Sequence, residues 1–200
     1  MTSLAKIVGS SAIEFEKDNK VVSLSLVDNS EETASLITKW RSENIKWYDS
    51  NFSPTKSRTE KWLRRNILNR PDNILFLILV NENKIGHIGL TDYDMGNDSV
   101  KIMSVVKGEN VFFPRLMEYV GKNLINWIFY ELNISTVKVR VFSDNYKAIN
   151  MNERIGMLTV DSIPMKKEKT LDGFSWKECR FNCKDDSRIV RYMNIMEIHR

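Results

Sequence analysis

The sequence predicts an α/β (α+β) fold: a mixed, mostly antiparallel, twisted sheet of about seven strands around one central β-α-β crossover. Three observations carry that expectation. The first is a meander. ILFLILV (74–80) is an apolar run of strand length, and the segments IGHIGLTDYD (85–94) and SVKIMSVV (99–106) follow it across short polar turns, NENK and MGND. The second is a long amphipathic helix over 114–132, with Leu116, Met117, Val120, Leu124, Trp127, Ile128 and Leu132 along one stripe. The third is the strand TVKVRVFSD (136–144) after that helix. Strand, helix and strand in this order make a right-handed crossover, so two of its flanking strands are parallel neighbours and a ligand belongs at their carboxyl ends.

The remaining elements follow in order. VVSLSLVD (21–28) alternates and reads as a strand. Asn29 and Ser30 offer caps for a helix over 31–44. Residues 50–57 form a loop, and Ser57 with Glu60 fits a capping box that opens a helix through residue 69. Arg70-Pro71 ends it. Residues 145–157 form a short helix closed by Gly156, and two strands near 158–168 and 174–183 complete the sheet. Residues 185–200 read as a capped amphipathic helix with Ile189, Tyr192, Met193, Met196 and Ile195 on one side and Arg188, Arg191 and Asn194 mostly off it. Such a stripe needs cover, on the remaining surface of its own domain or, by a slight preference, on a second copy of the chain as a two-fold dimer.

Composition bounds the function. The 200 residues suit a single domain, 1–200, with a core over 21–183 and the C-terminal extension beyond it. Thirty Lys and Arg against 26 Asp and Glu leave a net charge of +4, which permits an anionic ligand without demanding nucleic acid. Two cysteines, Cys179 and Cys183, are too few for a structural zinc site, so no metal is expected and both are read as free thiols. The N-terminus lacks a long apolar core followed by a cleavage site, and no apolar run has the length of a membrane span. A cytoplasmic protein without membrane contact is the expectation.

The junction VVKGENVFFPRLM (105–117) is the most informative stretch. It leads from a strand into the long helix, whose first amides point outward unpaired and attract an anion together with the helix dipole. Pro114 suits the first helical position. Gly108 leaves room for a close approach, and Lys107 and Arg115 add charge, Arg115 with two donors that match a phosphate.

The element order, KIGHIGL with its hairpin, the strand-junction-helix unit and VRVFSDNYKAINMNERIGM resemble the N-acetyltransferases of the GNAT superfamily over residues 21–183. Asn145, Ala148, Ile149, Glu153, Arg154 and Gly156 carry the most specific part of the likeness, with Met157 where Phe is usual. The junction departs from the family. Lys107 and Gly108 stand at its start, the second small residue is absent, and the loop is longer. The resemblance implies acetyl-CoA as cosubstrate and a small primary amine as acceptor. It puts the CoA pyrophosphate on the amides near 108–117, including Leu116 and Met117, and the pantetheine arm along Val105 and Val106, with Asn145 and Ala148 on the cofactor side.

Acetyl transfer to an amine needs a base and an oxyanion donor. Asp92 and Asp94 end the strand beside the cofactor strand. His87 lies on the opposite side of the same strand, and Glu109 sits in the junction. Each has a structural alternative: His87 as a packed strand residue, the aspartates as turn caps. Many family members protonate the leaving thiolate with a tyrosine at the position held in this chain by Asn152, so Tyr146 or Tyr93 must substitute or the thiolate leaves unassisted. Trp40, Arg41, Trp47, Tyr48 and Phe52 cluster where the family roofs its acceptor. Arg41 with Lys61, Arg64 and Arg65 points to a phosphate-bearing acceptor, and ITKWRSEN is similar to members that acetylate nucleotide-linked amino sugars. The N-terminal amines of ribosomal proteins are the alternative within the class. A non-catalytic module for nucleic acid or a protein partner, built on the basic stripe of 56–70, is the alternative outside it, with nucleic acid disfavoured because the acids match the cations.

Overall fold

The computed structural model describes residues 4, 9, 13–111, 113–179 and 189–200. In chain order the elements are β1 (Ile13–Lys17), β2 (Lys20–Leu26), α1 (Glu31–Glu43), β3 (Ser50–Phe52), α2 (Lys56–Trp62, continued by a π-turn over Leu63–Leu68), β4 (Ile74–Val80), β5 (Asn83–Asp94), β6 (Ser99–Lys107), α3 (Leu116–Glu131), β7 (Thr136–Phe142), α4 (Tyr146–Ile155), β8 (Leu158–Thr170), β9 (Gly173–Glu178) and β10 (Ile189–His199). Among the described residues, ten strands form one sheet in the order β1-β2-β4-β5-β6-β7-β10-β8-β9-β3. Every neighbouring pair is antiparallel except β6 and β7, which the α3 crossover makes parallel. The mixed, mostly antiparallel sheet with its central crossover is therefore as expected, with ten strands rather than about seven.

Both faces of the sheet are covered. In β4, Phe76 and Ile78 face one way and Leu75 and Leu77 the other, and all are buried. Leu116, Val120, Leu124 and Ile128 of α3 pack on the first face with Ile88, Val137 and Val139. Ala34, Ile37 and Trp40 of α1 pack on the second with Leu75, Leu77 and Val106. Ser30 caps α1, its hydroxyl accepting from the Thr33 amide at 3.2 Å.

Four expectations are corrected. The C-terminal segment is not a helix. It is β10, inserted between β7 and β8. Its apolar residues serve both faces, Met193 and Ile195 on one and Met196 and Ile198 on the other. A strand buried on both faces places apolar residues three apart and so imitates a helical stripe. Without an appended helix, no stripe is left over to call for a dimer. The capping residue of α2 is Thr55, which accepts from the Arg58 amide at 3.3 Å, so Ser57 lies inside the helix. Pro114 is not the first helical residue. It sits in a turn ahead of Arg115, the N-cap, which is left-handed at φ 56°. Cys179 is disulfide-bonded rather than a free thiol, and Cys183 lies outside the described residues. Among the described residues no helix is long and apolar enough to cross a membrane, and no group of acidic, histidine or cysteine side chains could hold a metal.

Candidate active site

The sheet splits where the crossover leaves it. β6 and β7 pair only from Ser99 opposite Thr136 to Ile102 opposite Val139. Beyond Ile102, β6 runs on to Lys107 bonded to β5 alone, so among the described residues its other edge has no strand partner. A bulge sits at the start of this split. His87 opposes Val106 and Gly89 opposes Met103, so β5 spends one residue where β6 spends two, Ser104 and Val105. Ser104 has φ 51°, uncommon for a residue with a side chain. Its carbonyl meets Nδ1 of His87 at 2.6 Å. The His87 ring is 1% exposed, and burial pushes its pKa down to about 4.

The junction after β6 is tied to α1. The amides of Gly108 and Glu109 both donate to the Ile85 carbonyl at 2.8 Å. The Trp40 indole fills the space beside Gly108, where an added Cβ would lie 2.2 Å from Nε1. The glycine expected to admit a phosphate thus admits a tryptophan. Glu109 accepts from Trp40 Nε1 at 2.9 Å and pairs with Lys39 Nζ at 2.6 Å. The Lys39 and Trp40 donors hold its carboxyl below the usual range, as befits a tether rather than a base. Lys107, Pro114 and Arg115 are exposed at the mouth, Leu116 is buried, and Met117 and Val105 are half-buried. Glu118 joins this end to α4, meeting Arg154 at 2.6 Å and Arg115 at 3.8 Å. In α4, Asn145 is the N-cap, accepting from the Ala148 amide at 3.3 Å. Ala148 packs on the core beside α3. Tyr146 points to solvent, and Asn152 is buried near the sulfur of Met196.

Asp92 and Asp94 are not brought to this place. β5 and β6 are antiparallel, so the end of β5 adjoins the start of β6: Asp94 opposes Ser99, far along the ladder from the pairing of His87 with Val106. Asp92 pairs with Lys101 at 2.7 Å. Asp94 caps the 95–98 turn, accepting from the Gly96 and Asn97 amides and the Asn97 side chain, which together lower its pKa. Tyr93, the other substitute acid, packs against the main core beyond the same end.

The aromatic cluster divides. Trp40 is core, with no exposure. Arg41 stacks over Tyr48 at 4.0 Å and Phe52 at 4.7 Å, and its Nη2 donates to the Ser50 carbonyl at 3.1 Å. Burial raises the pKa of the Tyr48 phenol. Trp47 packs against Arg191, which also covers Phe142 at 3.7 Å and binds Asp144 at 2.7 Å. Sequence reasoning missed Asp49, Arg140 and Glu178, which meet on the α1 face beyond the split. Arg140 bonds Glu178 at 3.0 Å. Asp49 is exposed as a residue, yet its carboxyl is packed closely enough for desolvation to raise its pKa, with the charge of Arg140 opposing. The signal for Asp49 was its position directly after the aromatic cluster. Arg140 and Glu178 join only through sheet order, which the sequence does not state.

The free strand edge and the helix N-terminus at its mouth are where the resemblance to the acetyltransferases puts the pantetheine arm and the pyrophosphate. Residues 24–158 match the model of the acetyltransferase (GNAT) domain, and the chain belongs to that family. Solved structures of similar fold include one described as a probable acetyltransferase of the GNAT family from Chromobacterium violaceum, at TM-score 0.71 and 14% identity over 96% of this chain and 87% of that one. The ribosomal alpha-N-protein acetyltransferase RimL, in complex with coenzyme A, gives TM-score 0.67 and 15% identity over 89% of this chain and 93% of its own. The spermidine N-acetyltransferase of Vibrio cholerae, with CoA and spermine, gives TM-score 0.66 and 13% identity over 89% and 95%. No curated protein matches the sequence.

Proposed function

We propose that the protein transfers an acetyl group from acetyl-CoA to a primary amine, with the cosubstrate lying in the split between β6 and β7. The observation that carries this reading is the ending of the parallel ladder at Ile102 and Val139, with β6 continuing as a free edge into the start of α3. The pantetheine amides would pair with that edge near Val105, as a missing strand does. The pyrophosphate would meet the first turn of α3 past Leu116, whose own amide donates to the Phe113 carbonyl at 3.3 Å, with Lys107 and Arg115 beside it. Gly108 and Val106 support this edge from beneath, through Trp40, rather than touching the cosubstrate.

The acceptor approaches from the α1 face, where Asp49, Arg140 and Glu178 lie together beyond the split. Asp49, with its raised pKa, is the carboxyl best suited to take the ammonium proton there. The neutral nitrogen adds to the thioester carbon, and as the tetrahedral adduct collapses the thiolate leaves and takes up the second proton that the nitrogen gives up in becoming an amide. Of the cations expected to meet a nucleotide, Arg41 adjoins this place and the other three do not join it. Lys61, Arg64 and Arg65 lie exposed on α2 and its π-turn, which lead to the start of β4. This distribution favours the α-amino group of a protein chain over a nucleotide-linked amino sugar, and the likeness to the RimL fold is in keeping with that order.

The test follows thiol release from acetyl-CoA with peptides bearing a free N-terminus, a nucleotide-linked amino sugar and spermidine. Acetylation of one amine class supports transferase function and identifies the acceptor. Failure to bind acetyl-CoA, combined with salt-steep binding of RNA, would replace the enzyme by a binding module.

A further inference from the structure

His87 is the most deeply buried titratable side chain near the split, and its environment fixes its state. The ring nitrogen Nδ1 lies 2.6 Å from the Ser104 carbonyl oxygen. A carbonyl only accepts, so Nδ1 carries the hydrogen and Nε2 bears the lone pair. Nε2 is buried without a partner among the described residues. At 1% exposure the ring offers no lone pair to an incoming amine, which sets aside the role of general base for this residue.

What the ring does hold is the bulge. Ser104 is a left-handed, non-glycine residue at φ 51°, a conformation that its Cβ disfavours and that persists only where neighbours impose it. The hydrogen bond from His87 is such a constraint. The carbonyl of Ser104 and the amide of Val105 belong to one planar trans peptide, so turning the carbonyl toward the imidazole turns the Val105 N–H away from it. That peptide lies just past Ile102, where the pairing with β7 stops. The ring is fixed in turn by Trp40, whose indole lies 5.9 Å from it between centroids and also fills the space beside Gly108. A packed path thus runs from the junction, through Trp40 and His87, to the bulge.

We propose that His87 is a positioning residue for acetyl transfer: its Nδ1–H grips the Ser104 carbonyl and so sets the Ser104–Val105 peptide at the head of the split, where the thioester has to lie. The proposal rests on acetyl-CoA occupying the split. Its own content, the tautomer and the clamp, is measurable without any cosubstrate. The role differs from that of a group that exchanges protons with the substrate. Nothing is transferred to His87, and its loss acts through the backbone of β6.

The experiment uses the full chain and has two arms. In the first, ¹⁵N–¹H correlation of the imidazole nitrogens assigns the tautomer. With only two histidines in the sequence the assignment is direct. The expected result is a neutral Nδ1–H ring at neutral pH, and an Nε2–H ring overturns the proposal. In the second arm acetyl-CoA affinity is measured by calorimetry for His87→Asn, which keeps a donor at the Nδ1 position, and His87→Leu, which keeps bulk without it. The expected outcome is affinity within about threefold of the parent for Asn and a loss of about tenfold for Leu, as befits one well-made hydrogen bond, with the Val105 amide resonance displaced only in the Leu variant. Equal affinities and an unmoved Val105 resonance in a folded Leu variant overturn it. A parent chain that ignores acetyl-CoA while showing the expected tautomer and the displaced Val105 resonance leaves the clamp standing and removes the acetyltransferase reading instead.

Discussion

The two ends of β5 put similar residues to opposite uses. At its far end Asp92 and Asp94 lie toward solvent, one paired with Lys101 and the other closing a turn. Near its start His87 is sealed under α1, with one nitrogen on a backbone carbonyl and the other without a partner among the described residues. Both ends carry side chains of the kinds that serve as bases in acetyl transfer. The polar atoms of the far end are satisfied locally by a lysine and by turn amides, which is what a stable hairpin needs. Those of the near end connect a strand, a bulge and a helix, and they adjoin the stretch where β6 lacks a strand neighbour on one side. A titratable residue is thus most informative when its partners come from separate elements that meet at an opening.

Four measurements probe this contrast between the ends. The largest effect is expected from Trp40→Ala, which empties the packing between the junction, His87 and α1. Complete burial of the indole predicts a loss of about 4 kcal/mol in chemical denaturation. A loss below about 1 kcal/mol would return Trp40 to the acceptor pocket.

The second variable is pH. The His87 pKa falls from 6.5 to about 4 on folding, chiefly by burial. Between those values the unfolded chain holds the extra proton, so stability is complete above pH 6.5 and declines as pH drops toward 4. The total contribution is about 3 kcal/mol. His87→Leu should remove that share of the decline, and parallel pH curves for the two proteins would show that the ring is not sealed in solution. The third measurement is at the mouth. Arg115→Glu reverses a charge that is 71% exposed beside the first turn of α3 and should weaken acetyl-CoA binding about tenfold without changing the melting temperature in its absence. The smallest effect belongs to the far end. Asp92→Asn and Asp94→Asn should leave turnover within about twofold of the parent at every pH. A flattened pH profile in either would exchange the roles of the two ends.

Much of the fold was legible in the sequence. ILFLILV, the alternation of 99–106 and the stripe of the long helix each have one period and one reading, and they meet in the crossover. Where the sequence misled, the cause is a tertiary fact. β10 has apolar residues on both faces because it enters the interior of the sheet between β7 and β8, and from sequence alone that pattern is indistinguishable from one side of a helix. Asp92 and Asp94 do adjoin β6, but at its start and away from the split, which the antiparallel pairing decides. Gly108 was read as room for a ligand, and the room is taken by Trp40, a residue from far earlier in the chain. The site itself was legible as a location, the junction of β6 and α3. The charged group proposed for it on the α1 face, Asp49, Arg140 and Glu178, comes from three segments brought together only by folding.

Everything proposed for the site depends on acetyl-CoA lying along the free edge of β6 with its pyrophosphate at the start of α3. Calorimetric titration of the full chain with acetyl-CoA, with Arg115→Glu beside it, examines that placement without knowledge of the acceptor. The expected result is saturable binding of one molecule per chain in the parent and a roughly tenfold weaker constant in the variant. Absence of saturable binding, or identical constants for the two proteins, would refute the placement.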